Sequence, residues 1–544
     1  MRPLARDVVY SRRQIEGLIA EGRQLFILDG QVIKADAWMQ FHPGGDLAIK
    51  HMVGRDATDE VTVLHTAQAR QKMQAFRMGL IEGSWKNFTP PIQGGIFRLP
   101  ECEHEEKEQE VVTIVEVKED LPAIDEITLR KRDSGIVILD NRPPTATKEE
   151  GTGGHYLQSL TDLQHDADLT KYPALDETTQ QLIVKKYRAL YKEIIAKGFF
   201  ECNYWNYAIE VARYSFLFYL FSATLMAGWY KCSGLILGLF WHQLVFSAHD
   251  AGHMGITHNY QFDTVIGIVI ADFIGGLSMG WWKRSHNVHH IVTNSTEHDP
   301  DIQLLPFFAV SHKFFKSLFS SYHSSTILFD KASEFLVPYQ HYLYYPVLCL
   351  GRFNLYIQSW VFLLTVASPK KGPARWHRTI EMVGQLFFWY WFGYLVLWKS
   401  IPTWFDRVAF VLLSHMMTAP LHVQITMSHY AMSTADLGVD ECFAQKMLRT
   451  TMDVDCPHWL DWIHGGLQFQ AIHHLYPKIP RHNLRSVQHL VQEFCSEVDI
   501  PYALLGFVDG NKSVINHLAE VGRHASIFAK CHEAVIRSED FGMH

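Results

Sequence analysis

The chain has 544 residues, 48% of them hydrophobic and only 19% charged, which excludes global disorder and a collagen-like repeat and predicts about three or four structural units. Its net charge is -8, and residues 101–150, with 15 acidic and 7 basic side chains, account for all of it, so the rest is neutral on balance and no basic footprint for nucleic acid exists. The eight Cys, at 102, 202, 232, 349, 442, 456, 495 and 531, form no Cys-x-x-Cys pair and no regular spacing, which argues against a disulfide framework or a zinc ribbon and suits a reducing compartment.

In chain order, residues 1–10 are charged and lack the apolar core of a secretory signal, so the chain is expected to begin in the cytosol. Residues 1–86 read as a small soluble mixed domain, with an apolar stretch at 25–28, a turn at 42–45 and helical patterns near 48–54 and 67–78. Residues 87–155 read as an acidic flexible linker with one short strand at 111–117. Helical periodicity returns at 156–200. Beyond residue 213 the chain turns apolar and aromatic, and four stretches, 214–230, 231–248, 380–398 and 404–426, are long enough to cross a bilayer of about 30 Å. Two more are interrupted: 262–282 holds Asp263, Asp272 and several glycines, and 341–367 holds Pro346, Arg352, Asn354 and Gln358. Both suit re-entrant or interfacial elements. Two hairpins of two spans then return residues 249–379 and everything after 427 to the side of the N-terminus, with the basic loop 370–378 in the cytosol, as the positive-inside rule prefers.

Within the first domain, His42-Pro43-Gly44-Gly45, followed by Gly54-Arg55-Asp56-Ala57-Thr58 and by His65, places one imidazole in each of two loops. Two imidazoles on opposite haem faces would fill both axial positions and favour electron transfer over oxygen binding. Over residues 5–85 these motifs resemble cytochrome b5, which implies an α+β haem-binding fold with His42 and His65 as axial ligands of haem b. One departure is the run Val61-Thr62-Val63-Leu64, where that family usually carries an aromatic residue before the second His.

The 31 histidines also cluster. His249 and His253 stand at i and i+4; His286, His289 and His290 at i, i+3 and i+4; Gln470, His473 and His474 repeat that pattern with Gln first. On helices each group shares one face and can aim several nitrogens at one centre. So many neutral nitrogen donors with no Cys partner suit iron, copper or zinc, and their number favours two ions. The expected topology brings all three groups to the membrane face on which the first domain lies.

These boxes resemble the membrane fatty-acyl and sphingolipid desaturase family over roughly residues 155–515. The resemblance implies a four-span, all-α membrane domain (156–515) with a cytosolic cap of His boxes, a C-terminal tail (516–544), and two non-haem irons that use O2. It implies the ligands His249, His253, His286, His289, His290, His473 and His474, with His429 at the end of the last span and Gln470 as an outer or weak ligand. Gln470 opening the third box, with an N-terminal b5 domain, marks the front-end desaturases. Ile472, His422-Val423-Gln424 and Met432-Ser433-Thr434-Ala435-Asp436 resemble the fungal sphingolipid delta-8 branch, whose substrate is the long-chain base of ceramide. Front-end fatty-acyl desaturases (delta-6 or delta-5) and lipid hydroxylases share the scaffold. The resemblance further implies electrons from NADH through a cytochrome b5 reductase, and residence in the endoplasmic reticulum membrane with both termini cytosolic.

Of the remaining histidines, His415 and His422 are expected to be buried or tunnel-lining, His242 a packing residue, and His258 and His464 to lie around the centre or at the surface. Asp250 and Asn287 would either orient an imidazole or serve as solvated spacers. Trp281 and Trp282 are expected at the lipid interface.

Overall fold

The computed structural model describes residues 8–99 and 152–541. The expected linker strand at 111–117 lies outside the described residues.

The first domain is built on a four-stranded sheet in the order Val9–Tyr10, Arg77–Ile81, Gln31–Lys34, Leu25–Leu28. Asp29 and Gly30 join the last two strands with φ of 50° and 71°, the primed-turn geometry that matches strand twist. Leu25–Leu28 is buried throughout because both faces are covered: Leu25 and Ile27 pack with Ile15, Ile19 and Val53, while Phe26 and Leu28 pack with Ile33, Ala48 and Ile49. Helix Arg12–Ala20 begins at a reciprocal cap between Ser11 and Gln14.

Two sequence expectations shift here. The helical pattern at 67–78 stops at Met73, because residues 77–81 are captured as a strand between two partners distant in sequence. The segment after 86 does not leave the domain at once: Trp85 Nε1 donates to the Gly54 carbonyl at 3.2 Å, and Phe88 and Phe97 join the core around Ile15.

The second part is helical, with two small two-stranded sheets, Leu318–Ser320 with Ser325–Ile327 and Asp453–Asp455 with Leu504–Gly506. Helix Glu177–Ala196, capped by Asp176, packs Tyr187 against Tyr476 near the third box. Helices Tyr204–Met226 and Tyr230–Gly252 follow, the first starting ten residues before the expected span and with the break at 227–229. Gly234 and Gly238 of the second lie against the backbone of Phe410 and Ser414, the close approach that small residues four apart permit.

Among the described residues, His377–Ser400 and Trp404–Met427 are long and apolar enough to cross a membrane. The other two expected spans are helical but carry Glu210, Arg213, His242 and Gln243, and fall short of that measure. Each interrupted segment is a pair of helices bent at a short break: Tyr260–Ile274 meets Met279–Val292 at 118°, and Lys331–Cys349 meets Gly351–Thr365 at 69°. The expected C-terminal tail from residue 516 begins inside helix Phe507–Phe541, whose Val514, Leu518, Val521 and Ala525 enter a core with Phe308 and Phe314.

The two parts share a core. Val288, Ile291 and Val292 of helix Met279–Val292 pack with Phe26, Leu28, Ile49 and Met52 of the sheet domain. Arg284–Asp46 at 2.9 Å and Arg188–Asp59 at 2.7 Å flank this contact.

Candidate haem and metal centres

His42 follows the turn Met39–Phe41, and its Nδ1 lies 2.8 Å from the Gly45 carbonyl; His65 ends helix Thr58–Leu64 with Nδ1 3.1 Å from the Val61 carbonyl. Each ring therefore spends Nδ1 on its own backbone and presents Nε2, and the two Nε2 atoms face each other at 3.5 Å. A cavity of about 620 Å³ surrounds them, walled by Phe26, Ala48, Ile49, Met52, Leu64 and Phe76. Trp38 packs its edge on His42 with ring centres 5.8 Å apart and supplies an aromatic wall that the residues before His65 lack. Burial, then the neighbouring His42, pushes the His65 ring down to about 3, so both imidazoles are neutral donors near neutral pH. Two opposed free nitrogens in an apolar cleft fit haem b.

All eight box and span-end histidines meet behind the opposite face of helix Met279–Val292. His249, His253, His286 and His473 place one nitrogen each within 4.8 Å of one another, and His289, His429 and His474 form a second such group. His290 stands between them: its Nε2 is 3.1 Å from His286 Nε2, and its ring stacks 4.3 Å from His474. Four ring nitrogens, His253 Nε2, His290 Nδ1, His473 Nε2 and His474 Nε2, are buried with no hydrogen-bond partner. An unpaired buried polar atom costs about 1–3 kcal/mol, a cost that a bound cation would remove. Burial and like neighbours hold His286, His290, His473 and His474 well below the ordinary imidazole range, leaving lone pairs free. Two adjacent all-imidazole groups fit a pair of iron ions. Gln470 is buried at the first position of the six-residue helix that carries His473 and His474.

Several surrounding residues have roles the boxes alone do not reveal. Asp299, fully buried, accepts from His289 Nδ1 at 2.8 Å and from the Asn294 amide at 2.7 Å. Burial opposes charge on His289, but Asp299 and Asp301 outweigh it and raise that ring to about 9. Asn294 in turn donates to the His429 carbonyl at 2.9 Å, tying the second box to the last span. The acidic pair in His298-Asp299-Pro300-Asp301, just past the box, was the available sequence signal.

Trp282 corrects the lipid-interface expectation: its ring stacks on His286 at 4.4 Å and meets His249 and His253 at 5.4 and 5.5 Å. Asp250 neither orients a box imidazole nor faces solvent, since it is buried and pairs with Arg481 and Tyr207. Asn287 points away from the cluster, with Nδ2 3.5 Å from the Gly44 carbonyl in the turn that carries His42. Lys478, four residues past His474, donates to the carbonyls of Thr62 and His65.

His258 spends both nitrogens on the carbonyls of Met254 and Phe200 at 2.7 Å each and has none left for a metal. His415 stacks on Phe353 at 4.5 Å, His242 packs on Phe246, His422 lies beside Gly351 and His464 lies against Phe507. None of these five belongs to either imidazole group.

Comparison with known proteins agrees with both centres. The model of the fatty acid desaturase family matches residues 225–506, and that of the cytochrome b5-like heme/steroid binding domain matches residues 11–82. Over 99% of both chains the protein is 54% identical to a Delta 8-(E)-sphingolipid desaturase of Emericella nidulans. A Delta 8-(E)-sphingolipid desaturase of Candida albicans is 43% identical over 96% of this chain and 97% of its own. An acyl-lipid (9-3)-desaturase of Borago officinalis is 39% identical over 55% of this chain and 65% of its own. The facing pair His42 and His65, the eight-imidazole cluster and these full-length likenesses lead to one conclusion: the chain belongs to the fatty acid desaturase family and carries a cytochrome b5-like haem domain at its N-terminal end.

Proposed function

We propose that the protein is an O2-dependent, membrane-bound sphingolipid desaturase that introduces a double bond at position 8 of the long-chain base of ceramide. The observation that carries this reading is near full-length identity of 43–54% to relatives named for that reaction, in Emericella nidulans and Candida albicans. When bound, haem b supplies one-electron transfer and two irons supply O2 activation, so that a CH2–CH2 unit, O2, two electrons and two protons give an alkene and two waters.

In this reading residues 1–86 bind haem and residues 156–515 bind iron and substrate. His42 and His65 would hold the haem iron through their facing Nε2 atoms. His249, His253, His286 and His473 would hold one iron and His289, His429 and His474 the other, with His290 between the two groups and Gln470 outside them. Asp299, which accepts from His289 Nδ1, would leave Nε2 of that ring free for a metal, the support a ligating His needs. Trp282 closes the wall beside His249 and His286 against water. Electrons originate from NADH through a cytochrome b5 reductase, and the protein resides in the endoplasmic reticulum membrane with both termini in the cytosol.

The test is lipid analysis after expression in a yeast that lacks sphingolipid desaturation. A new double bond at carbon 8 of the long-chain base, absent with His289→Ala, is expected. Unsaturation confined to fatty acids would replace the substrate with a fatty-acyl chain, and a hydroxyl instead of an alkene would make the protein a hydroxylase.

A further inference from the structure

Helix Met279–Val292 has two working faces. His286, His289 and His290 look into the imidazole cluster, whereas Lys283, Asn287 and Ile291, spaced four apart, line the cavity between His42 and His65. Lys283 is the anomaly on that second face. It is only 8% exposed, and among the described residues its ammonium makes no ion pair and no hydrogen bond; what it touches is the face of the Tyr260 ring, 4.9 Å away. The acids nearest in effect are committed elsewhere, Asp263 to Thr257 and Glu381 to Ser278 and Gly280. Lys478, also lining the cavity, is already bound to backbone carbonyls, and Lys72 is exposed.

A buried ammonium without a partner is strongly disfavoured, and a ring face compensates only part of the loss. Haem b, the group this cavity fits, carries two carboxylates as its only anionic groups. We propose that Lys283 binds a carboxylate of the haem, so that the prosthetic group is gripped by the membrane domain as well as by the domain that supplies its axial ligands. The inference rests on haem binding between His42 and His65, which a six-coordinate bis-imidazole spectrum of the wild-type protein tests separately.

A carboxylate paired with a buried cation raises haem potential, because the pair's positive partner disfavours the more positive oxidised haem. Spectroelectrochemical titration of the full-length holoprotein should show Lys283→Met lowering the equilibrium constant for haem reduction about tenfold, roughly 59 mV for a one-electron couple. Lys283→Arg should stay within twofold of wild type. Haem affinity gives the specific test: with native haem Lys283→Met should bind about tenfold more weakly than wild type, and with haem dimethyl ester, whose carboxylates are blocked, the two should agree within twofold. Equal potentials with native haem would overturn the proposal, and so would a tenfold affinity difference that persists with the ester. If Lys283→Met takes up no haem, the propionate-bending band in resonance Raman spectra decides: a shift in Lys283→Arg relative to wild type supports the contact, and an unmoved band refutes it.

Discussion

The haem cleft and the iron cluster are both built from imidazoles, yet the protein orients them by different means. At His42 and His65 the backbone does it: each Nδ1 faces a carbonyl within four residues of its own position. At the iron cluster the rings are crowded edge to face, and orientation comes from distant side chains such as Asp299 and from Trp282. A haem needs only two fixed vectors and a large apolar slot, which a pair of loops provides. Two adjacent cations need seven or eight donors in a small volume, and only helices crossing from separate parts of the chain provide those. The haem site is accordingly a local device and the iron site a tertiary one, and the following experiments probe that division.

The largest effects should separate the centres. His289→Ala should abolish product while leaving the haem spectrum and potential unchanged, whereas His65→Ala should abolish haem binding and product while leaving bound iron, measured by mass spectrometry of the purified protein, within twofold of wild type. Loss of haem in the first variant would show that the centres are not independent. Next, Asp299→Asn should lower iron affinity or turnover about 10–100-fold, as loss of a carboxylate that supports a ligating His does, with no change at the haem. An unaltered iron content and turnover would remove Asp299 from the site.

A smaller effect concerns Glu60, which is buried on the cavity wall and whose carboxyl burial raises to about 7 from its usual 4.5. Because the folded value lies above the unfolded one, the stability of the neutral form is complete below about 4.5 and is lost as pH rises toward 7, by about 3 kcal/mol at most. Thermal unfolding followed at the Soret band should therefore fall by several degrees from pH 5 to 7.5 in wild type and stay nearly level in Glu60→Gln. A parallel slope in both would exclude this carboxyl as the source. Smallest is the partly exposed pair Arg284–Asp46 at the seam between the domains. Arg284→Glu should slow reduction of the iron centre by the haem two- to fivefold, consistent with about 1 kcal/mol or less for such a pair, and Asp46→Arg in the same chain should restore it. Rates insensitive to either change would show that the apolar contact alone holds the domains.

The same division explains what could be read in the sequence. Seven proposed ligands, His249, His253, His286, His289, His290, His473 and His474, are visible because each has a partner within four residues and the helix converts that spacing into a shared face, whereas His42, His65 and His429 follow from resemblance to known motifs. The helical pattern over 67–78 overruns the start of the strand Arg77–Ile81 because that strand's identity comes from pairing with Val9–Tyr10 and residues 31–33, which no local pattern records. Trp282 has the composition of an interface residue, and only the approach of His249 and His253 from another helix makes it a wall of the site. Asn287 and Gly44 are separated by 243 positions, so the seam between the domains had no local signature at all. Residues 516–544 read as a tail in the sequence because polar residues there outnumber the apolar ones, yet Leu518, Val521 and Ala525 lie on the buried stripe of helix Phe507–Phe541.

Helix Met279–Val292 carries ligands on one side and lines the haem cavity on the other, and its backbone is the partition between them. His253, one of the clustered imidazoles, also lines that cavity, so the two centres meet both at this helix and at the end of helix Tyr230–Gly252. One short segment therefore presents His286, His289 and His290 to one centre and Lys283, Asn287 and Ile291 to the other, although it is neither the longest helix nor the most buried.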